Sequence, residues 1–294
     1  MYTIHLILLF LLHYSAYSYA QYQVNPIRSV DFHESMQTAH YQQLLQKSLY
    51  KSILDYFEMV YKHVEPKLLM PSSKPLIEKK FNWIWLGGTH PERHELPEKY
   101  RAYQQSWLEM HPDWDYYVWT EADLDTFPFI NRELFDAANN YGQKSDIWRY
   151  EILKQHGGVY LDVDYECLKP IDDFNHYYHF YIGIQPLDTN MVQLGIGLIG
   201  SIPNHPILNY AIEDLPKKKD IQQIIVATGP ILFTLAFLNA AGKSGLRDIA
   251  LPASYFYPCG YDQRGMPRTV WDKPEAYAVH HWAGSWLEPE ARVR

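Results

Sequence analysis

Asp162 and Asp164 stand two residues apart, directly after the apolar run Val159-Tyr160-Leu161. That run reads as a buried strand, and an extended continuation points both carboxylates the same way. Two bare carboxylates that close repel each other unless a cation lies between them. Hard oxygen ligands with room for waters suit Mg²⁺ or Mn²⁺ bridging a diphosphate. A lone D-x-D also describes a pair of turn aspartates, so the surroundings decide. Asp146 and Arg149 lie three apart on the helix expected over Gln143–His156 and share a face. On a surface they would form an ion pair worth little. In a site, the carboxylate accepts hydrogen bonds from sugar hydroxyls and the guanidinium complements phosphate charge.

These side chains need elements to hold them. Gly157-Gly158 ends the helix and lets the chain turn tightly into the strand. A helix with S-D-x-x-R, a Gly-Gly break and then Y-L-D-V-D within 20 residues is a specific arrangement. Upstream, FNWIWLGG (81–88) is an aromatic strand in which Trp83 and Trp85 share one face. The pattern predicts further helices over 97–109, near 206–213 and from about 230 to 240, and helical segments around 121–125 and 131–139. It predicts strands at Asp115–Trp119, Val159–Asp162, IGIQPL and GIGLIGS. Alternating strand and helix argues an α/β sheet with ligands at the carboxyl ends of its strands. Residues 31–63 read as helical, with capping-box spacing at Asp31 and Glu34 and an apolar stripe expected to pack on the main domain. Pro66, Pro71 and Pro75 mark a linker after it.

A chain of 294 residues fits one large α/β domain or two small ones. With 47% hydrophobic and 20% charged residues it is not disordered. Lys and Arg total 26 against 34 Asp and Glu, a net charge of −8 with no basic block, which argues against nucleic acid as a partner. The 25 Tyr and 9 Trp suit stacking on bases or sugar rings as well as core packing. Two cysteines, Cys167 and Cys259, exclude a disulfide scaffold and are expected as free thiols. Residues 4–12 (IHLILLFLL), followed by small residues at Ser18 and Ala20, read as a secretory signal cleaved after Ala20. The run is short for a membrane span. The expected localisation is the secretory route, secreted or membrane-anchored and lumenal, with any membrane association through the N-terminus. Lys217-Lys218-Lys219 reads as a solvated loop.

The block SDIWRYEILKQHGGVYLDVD at 145–164 resembles the DXD-containing sugar-binding region of glycosyltransferase family 32, and is similar to the catalytic core of the large clostridial glucosylating toxins. IWLGG at 84–88, TGP at 228–230 and HHWAGSW at 280–286 stand in the matching order, so the resemblance spans roughly residues 79–287. It implies a GT-A type, Rossmann-like nucleotide-sugar-binding domain, a UDP- or GDP-sugar donor, Mn²⁺ or Mg²⁺, and transfer of a hexose with retention to a glycan, glycolipid or protein acceptor. The domains expected are a signal peptide at 1–20, a helical extension and linker at 21–78, and the glycosyltransferase domain at 79–294.

Carried over by motif, the resemblance makes Trp85 the aromatic that stacks on the nucleotide base. Asp146 and Arg149 become donor-sugar contacts and, with Asp162, the catalytic set. Tyr160 packs beside the donor. Asp162 lies near ribose and sugar, and Asp164 is the principal metal ligand. The spacing to Gly284 favours His281 over His280 as a further metal ligand. Ser285 would reach metal or phosphate, and Trp286 would close over the leaving group, in a segment 280–287 ordered by the ligand. Family members often carry an Asn in the segment occupied here by GIGLIGSIPNHP, so the acceptor side receives no residue.

Two other readings remain open at this stage. D-x-D after a buried strand also opens haloacid-dehalogenase-type phosphatases, but those want Thr or Val where Glu166 stands and place the motif at the start of the domain. A catalytically inactive sugar-binding module on the same fold is the other, and the intact acidic and basic residues argue against it.

Overall fold

The computed structural model describes residues 30–36, 41–63, 70–87, 95–185 and 191–284. The expected signal peptide, Gly88, Ser285 and Trp286 lie outside the described residues.

Eight strands are described: β1 (Lys80–Ile84), β2 (Asp115–Trp119), β3 (Gly158–Leu161), β4 (Tyr165–Cys167), β5 (Phe180–Ile184), β6 (Leu194–Ser201), β7 (Asp248–Leu251) and β8 (Ala278–His280). Six form one sheet in the order β2-β1-β3-β6-β5-β7. β1 is parallel to β2 and β3, β7 is parallel to β5, and β6 runs antiparallel to both β3 and β5. The α/β expectation is met, with a mainly parallel sheet. β3, β5, β6 and β7 are buried throughout, so their side chains do not alternate between core and solvent. β2 forms an edge, with Tyr116 and Tyr117 exposed. β4 and β8 form a separate antiparallel pair.

The longer helices are α1 (Ser48–His63), α2 (Glu98–Met110), α3 (Tyr141–His156), α4 (Pro206–Asp214) and α5 (Pro230–Ala240). The segment 31–63 is not one helix: Phe32–Met36 and Tyr41–Leu45 are helical, and a turn at Gln46-Lys47 parts the latter from α1. Asp31 Oδ1 accepts the His33 and Glu34 N–H groups at 2.9 and 3.0 Å, so it does cap. The segment packs on the main core. Phe57 meets the Phe237 ring edge-on at 5.7 Å, and the Tyr56 hydroxyl donates to the Ala241 carbonyl at 2.9 Å. Among the described residues, no helix is long and apolar enough to cross a membrane. Cys167 and Cys259 are buried and not disulfide-bonded, and burial pushes Cys167 up to about 12.

α3 positions the site. Asn140 caps its first turn by accepting the Gly142 and Gln143 N–H groups. Residues 146–153 are all buried, so this is an interior helix and not an amphipathic one. Gly157 and Gly158 then take positive φ, +65° and +85°. A Cβ on Gly157 would stand 2.7 Å from Pro203 Cδ, and one on Gly158 would stand 2.7 Å from the Lys80 carbonyl oxygen. The tight turn from α3 into β3 therefore requires glycine at both positions.

Candidate active site

β1 and β3 run side by side in register, with Asn82 opposite Tyr160. Trp85 and Asp162, which follow the two strands, thus emerge at the same carboxyl edge of the sheet. Trp85 is half-buried, donates its backbone N–H to the Trp119 carbonyl at 2.9 Å, and has its ring 5.9 Å from that of Tyr100. Asp162 and Asp164 are not joined by extended chain as expected. Val163 and Asp164 form a turn, closed by the Tyr165 N–H on the Asp162 carbonyl at 3.2 Å, that leads into β4. The turn, not strand alternation, brings the two carboxylates together.

Arg149 is the hub. It is 4% exposed. Its Nη2 lies 3.1 Å from Asp146 Oδ1 and its Nη1 lies 3.1 Å from Asp162 Oδ1. Nη1 also donates to the Ile196 carbonyl at 2.8 Å, and Nε donates to the Ser145 carbonyl at 3.1 Å. The guanidinium sits 4.6 Å over the Tyr160 ring, whose hydroxyl donates to Asp162 Oδ1 at 2.7 Å. Burial works against the guanidinium's charge, but Asp162, then Tyr160 and Asp146, hold its pKa above the ordinary value. The other Asp146 oxygen accepts the Thr228 hydroxyl at 3.0 Å, and the Thr228 carbonyl accepts the Tyr150 hydroxyl at 2.7 Å. Burial pushes the Asp146 carboxyl up to about 6, with Arg149 opposing the rise.

Asp164 faces the chain's last described segment. Its Oδ1 lies 3.1 Å from His280 Nε2, its Oδ2 accepts the Ala283 N–H at 2.8 Å, and its carbonyl accepts the His281 N–H at 3.0 Å. Burial alone would raise its pKa; the His280 ring and the Ala283 N–H instead bring it down to about 2. Single ligand atoms of Asp162, Asp164 and His280 all lie within 4.8 Å of one another. His281 is turned away from the two aspartates. Its Nε2 lies 2.9 Å from Glu166 Oε2, and its ring stacks on Tyr103 at 4.3 Å and 4°. The expectation of His281 beside Asp164 therefore gives way to His280. Adjacent residues of a strand face opposite ways, and in β8 the residue paired with Tyr165 of β4 is His280.

Several contributors escaped the sequence reading. Thr228 lies in the weak TGP landmark and turns out to bond Asp146. Gly197 gives its carbonyl to the Asp162 N–H at 2.7 Å, and a Cβ there would stand 2.7 Å from Asp162 Oδ2. Gly195 lies under Tyr257, whose hydroxyl would be 1.9 Å from an added Cβ. The only sequence signal was the pair of glycines where an Asn was expected.

Residues 97–181 match the family described as the glycosyltransferase sugar-binding region containing the DXD motif. An uncharacterized glycosyltransferase of Acanthamoeba polyphaga mimivirus is 29% identical over 72% of this chain and 84% of its own length. Inositol phosphoceramide mannosyltransferase 2 of Schizosaccharomyces pombe is 29% identical over 57% of this chain, and the match spans about half of that protein, 47%. A solved structure, the PaToxG glycosyltransferase, is 20% identical with a TM-score of 0.48, covering 65% of this chain and 78% of its own. Over the matched region the chain is similar to glycosyltransferases whose sugar-binding region contains the DXD motif.

Proposed function

We propose that this glycosyltransferase takes a hexose from a UDP- or GDP-sugar and transfers it, with retention, to a glycan, glycolipid or protein acceptor with the help of Mn²⁺ or Mg²⁺. The observation that carries the reading is the Arg149 guanidinium lodged between Asp146 and Asp162, beside Asp164 and His280. Two carboxylates and an imidazole whose ligand atoms lie within 4.8 Å of one another suit one small divalent cation with waters completing its shell. Asp162, Asp164 and His280 would hold the ion. Bound there, it would supply positive charge to the donor diphosphate.

The chain's own groups support the rest. Trp85, near Tyr100 at the sheet's carboxyl edge, would stack on the base. Asp146 would accept a bond from a sugar hydroxyl, and Arg149 would stabilise charge growing on the departing diphosphate. Tyr160, whose hydroxyl donates to Asp162 Oδ1, would hold that carboxylate in place beside the donor. Both Asp146 oxygens are already engaged, by Arg149 and Thr228, which makes it a poor enzymic nucleophile. That favours displacement on one face through an oxocarbenium-like transition state over a covalent intermediate. Ser285 and Trp286 keep the donor-side roles the resemblance implies. The apolar run at 4–12 supports placement on the secretory route.

The test is a donor panel of UDP-glucose, UDP-galactose, UDP-N-acetylglucosamine and GDP-mannose, read by release of UDP or GDP with and without Mn²⁺. GDP-mannose is the first to try, because the S. pombe relative is a mannosyltransferase by name. Metal-stimulated turnover of one donor is expected. No turnover of any donor, in a folded preparation, would favour an inactive sugar-binding module.

A further inference from the structure

Residues 280–284 are held by protein groups. Three anchors fix the segment. β8 pairs with β4, with His280 opposite Tyr165 and their rings stacked at 4.8 Å. His281 is gripped between Tyr103 and Glu166, and Glu166 is itself held by Arg268 at 3.2 Å. The third is Trp282, whose indole N–H donates to the Cys259 carbonyl at 2.8 Å. Its ring meets His280 edge-on at 4.4 Å and lies 5.7 Å from Tyr257 and 6.1 Å from Tyr261.

Trp282 also has φ +50°, a left-handed conformation that is unfavourable for a bulky side chain. A residue keeps such a conformation only where its surroundings over-determine it, and such residues cluster at functional sites. The consequence here is geometric. The left-handed turn at Trp282 lets the residues on either side of it reach the same carboxylate: His280 meets Asp164 Oδ1 at 3.1 Å and Ala283 N–H meets Oδ2 at 2.8 Å.

We propose that Trp282 is a positioning residue: its anchored indole holds the strap in the left-handed turn that fixes both oxygens of Asp164 before metal or donor arrives. This inference rests on the metal-dependent reading above. Groups that orient a metal ligand commonly change metal affinity 10- to 100-fold when removed.

The experiment measures Mn²⁺ binding to the full chain by EPR, with UDP and in parallel with GDP, in wild type, Trp282→Gly, Trp282→Phe and Asp164→Asn. Glycine accepts φ +50° without strain, so Trp282→Gly removes the anchor while leaving the turn permitted. It should weaken Mn²⁺ binding about 10- to 100-fold. Trp282→Phe keeps a ring but loses the bond to Cys259, and should weaken binding several-fold, with faster hydrogen exchange at the Ala283 amide. If Trp282→Gly does not fold, the Phe variant decides. A folded Gly variant with wild-type affinity, or a Phe variant unchanged in both affinity and exchange, overturns the proposal. Wild type that takes up no more Mn²⁺ than Asp164→Asn removes the metal reading itself, and this inference with it.

Discussion

Gly197 and Asp162 touch through both backbone and side chain: the Gly197 carbonyl accepts the Asp162 N–H at 2.7 Å, and the Asp162 Oδ2 occupies the space a Cβ on residue 197 would need. The first DXD carboxylate is therefore placed partly by what β6 lacks. Gly197→Ala should push that carboxylate off its bonds with Tyr160 and Arg149. Overpacking of this kind costs about 1–3 kcal/mol in stability. The loss of donor turnover should be far larger than that modest drop in Tm. Unimpaired kcat and KM in the alanine variant would show that the carboxylate's position is not critical.

Asp146 carries a different signature. Its folded pKa, about 6, lies above its ordinary 3.8, so ionisation costs the folded state. The cost is absent below pH about 3.8, grows as pH rises, and is complete above pH about 6. Asp146→Asn leaves Arg149 paired with Asp162, so it should be more stable than wild type at pH 7, with the gap closing as pH falls from 6 to 4, and it should be inactive. Urea unfolding at pH 4, 5, 6 and 7 checks this. A gap that widens toward low pH would have the wrong sign.

Arg149→Lys keeps a charge but not the fork that reaches Asp146 and Asp162 together. Removing one partner from a buried pair destabilises by about 3–5 kcal/mol, so Arg149→Ala should unfold at markedly lower urea. The lysine variant is the sharper test. It should stay folded and lose at least about 100-fold in kcat, as expected for a group that stabilises transition-state charge. Retention of wild-type kcat by folded Arg149→Lys would make Arg149 purely structural.

His280→Ala and His281→Ala separate neighbours that the sequence could not. His280 stands at Asp164 and His281 at Glu166 and Tyr103. The first variant should raise the Mn²⁺ concentration needed for half-maximal turnover by about 10- to 100-fold. His281→Ala should leave that concentration within a few-fold and lower Tm through lost packing on Tyr103. The reverse pattern would restore His281 as the ligand.

What could be read from sequence follows from which interactions are local. Asp146 and Arg149 meet because three residues on a helix make neighbours, and the Gly157-Gly158 break is legible because only glycine makes such a turn. β3 and β5 are apolar runs, visible without knowing their partners. The rest depends on register and on distant chain. Choosing His280 over His281 requires knowing that β8 pairs with β4 at Tyr165. Thr228 reaches Asp146 across 82 positions, and Gly197 meets Asp162 only because β6 lies antiparallel beside β3. The 31–63 stripe read as one helix because periodicity does not show where a helix stops; among the described residues a turn at Gln46-Lys47 breaks it.

In the proposed reaction Asp162, Asp164 and His280 would bring a divalent cation to a nucleotide-sugar beside Asp146 and Arg149. The decisive measurement is the rate of nucleotide release from the preferred donor in wild type and Asp164→Asn, each in excess EDTA and after Mn²⁺ is restored. Wild type should fall silent in EDTA and recover with Mn²⁺, while a folded Asp164→Asn stays near background in both. Undiminished wild-type turnover in EDTA, or full turnover by Asp164→Asn, would contradict the account.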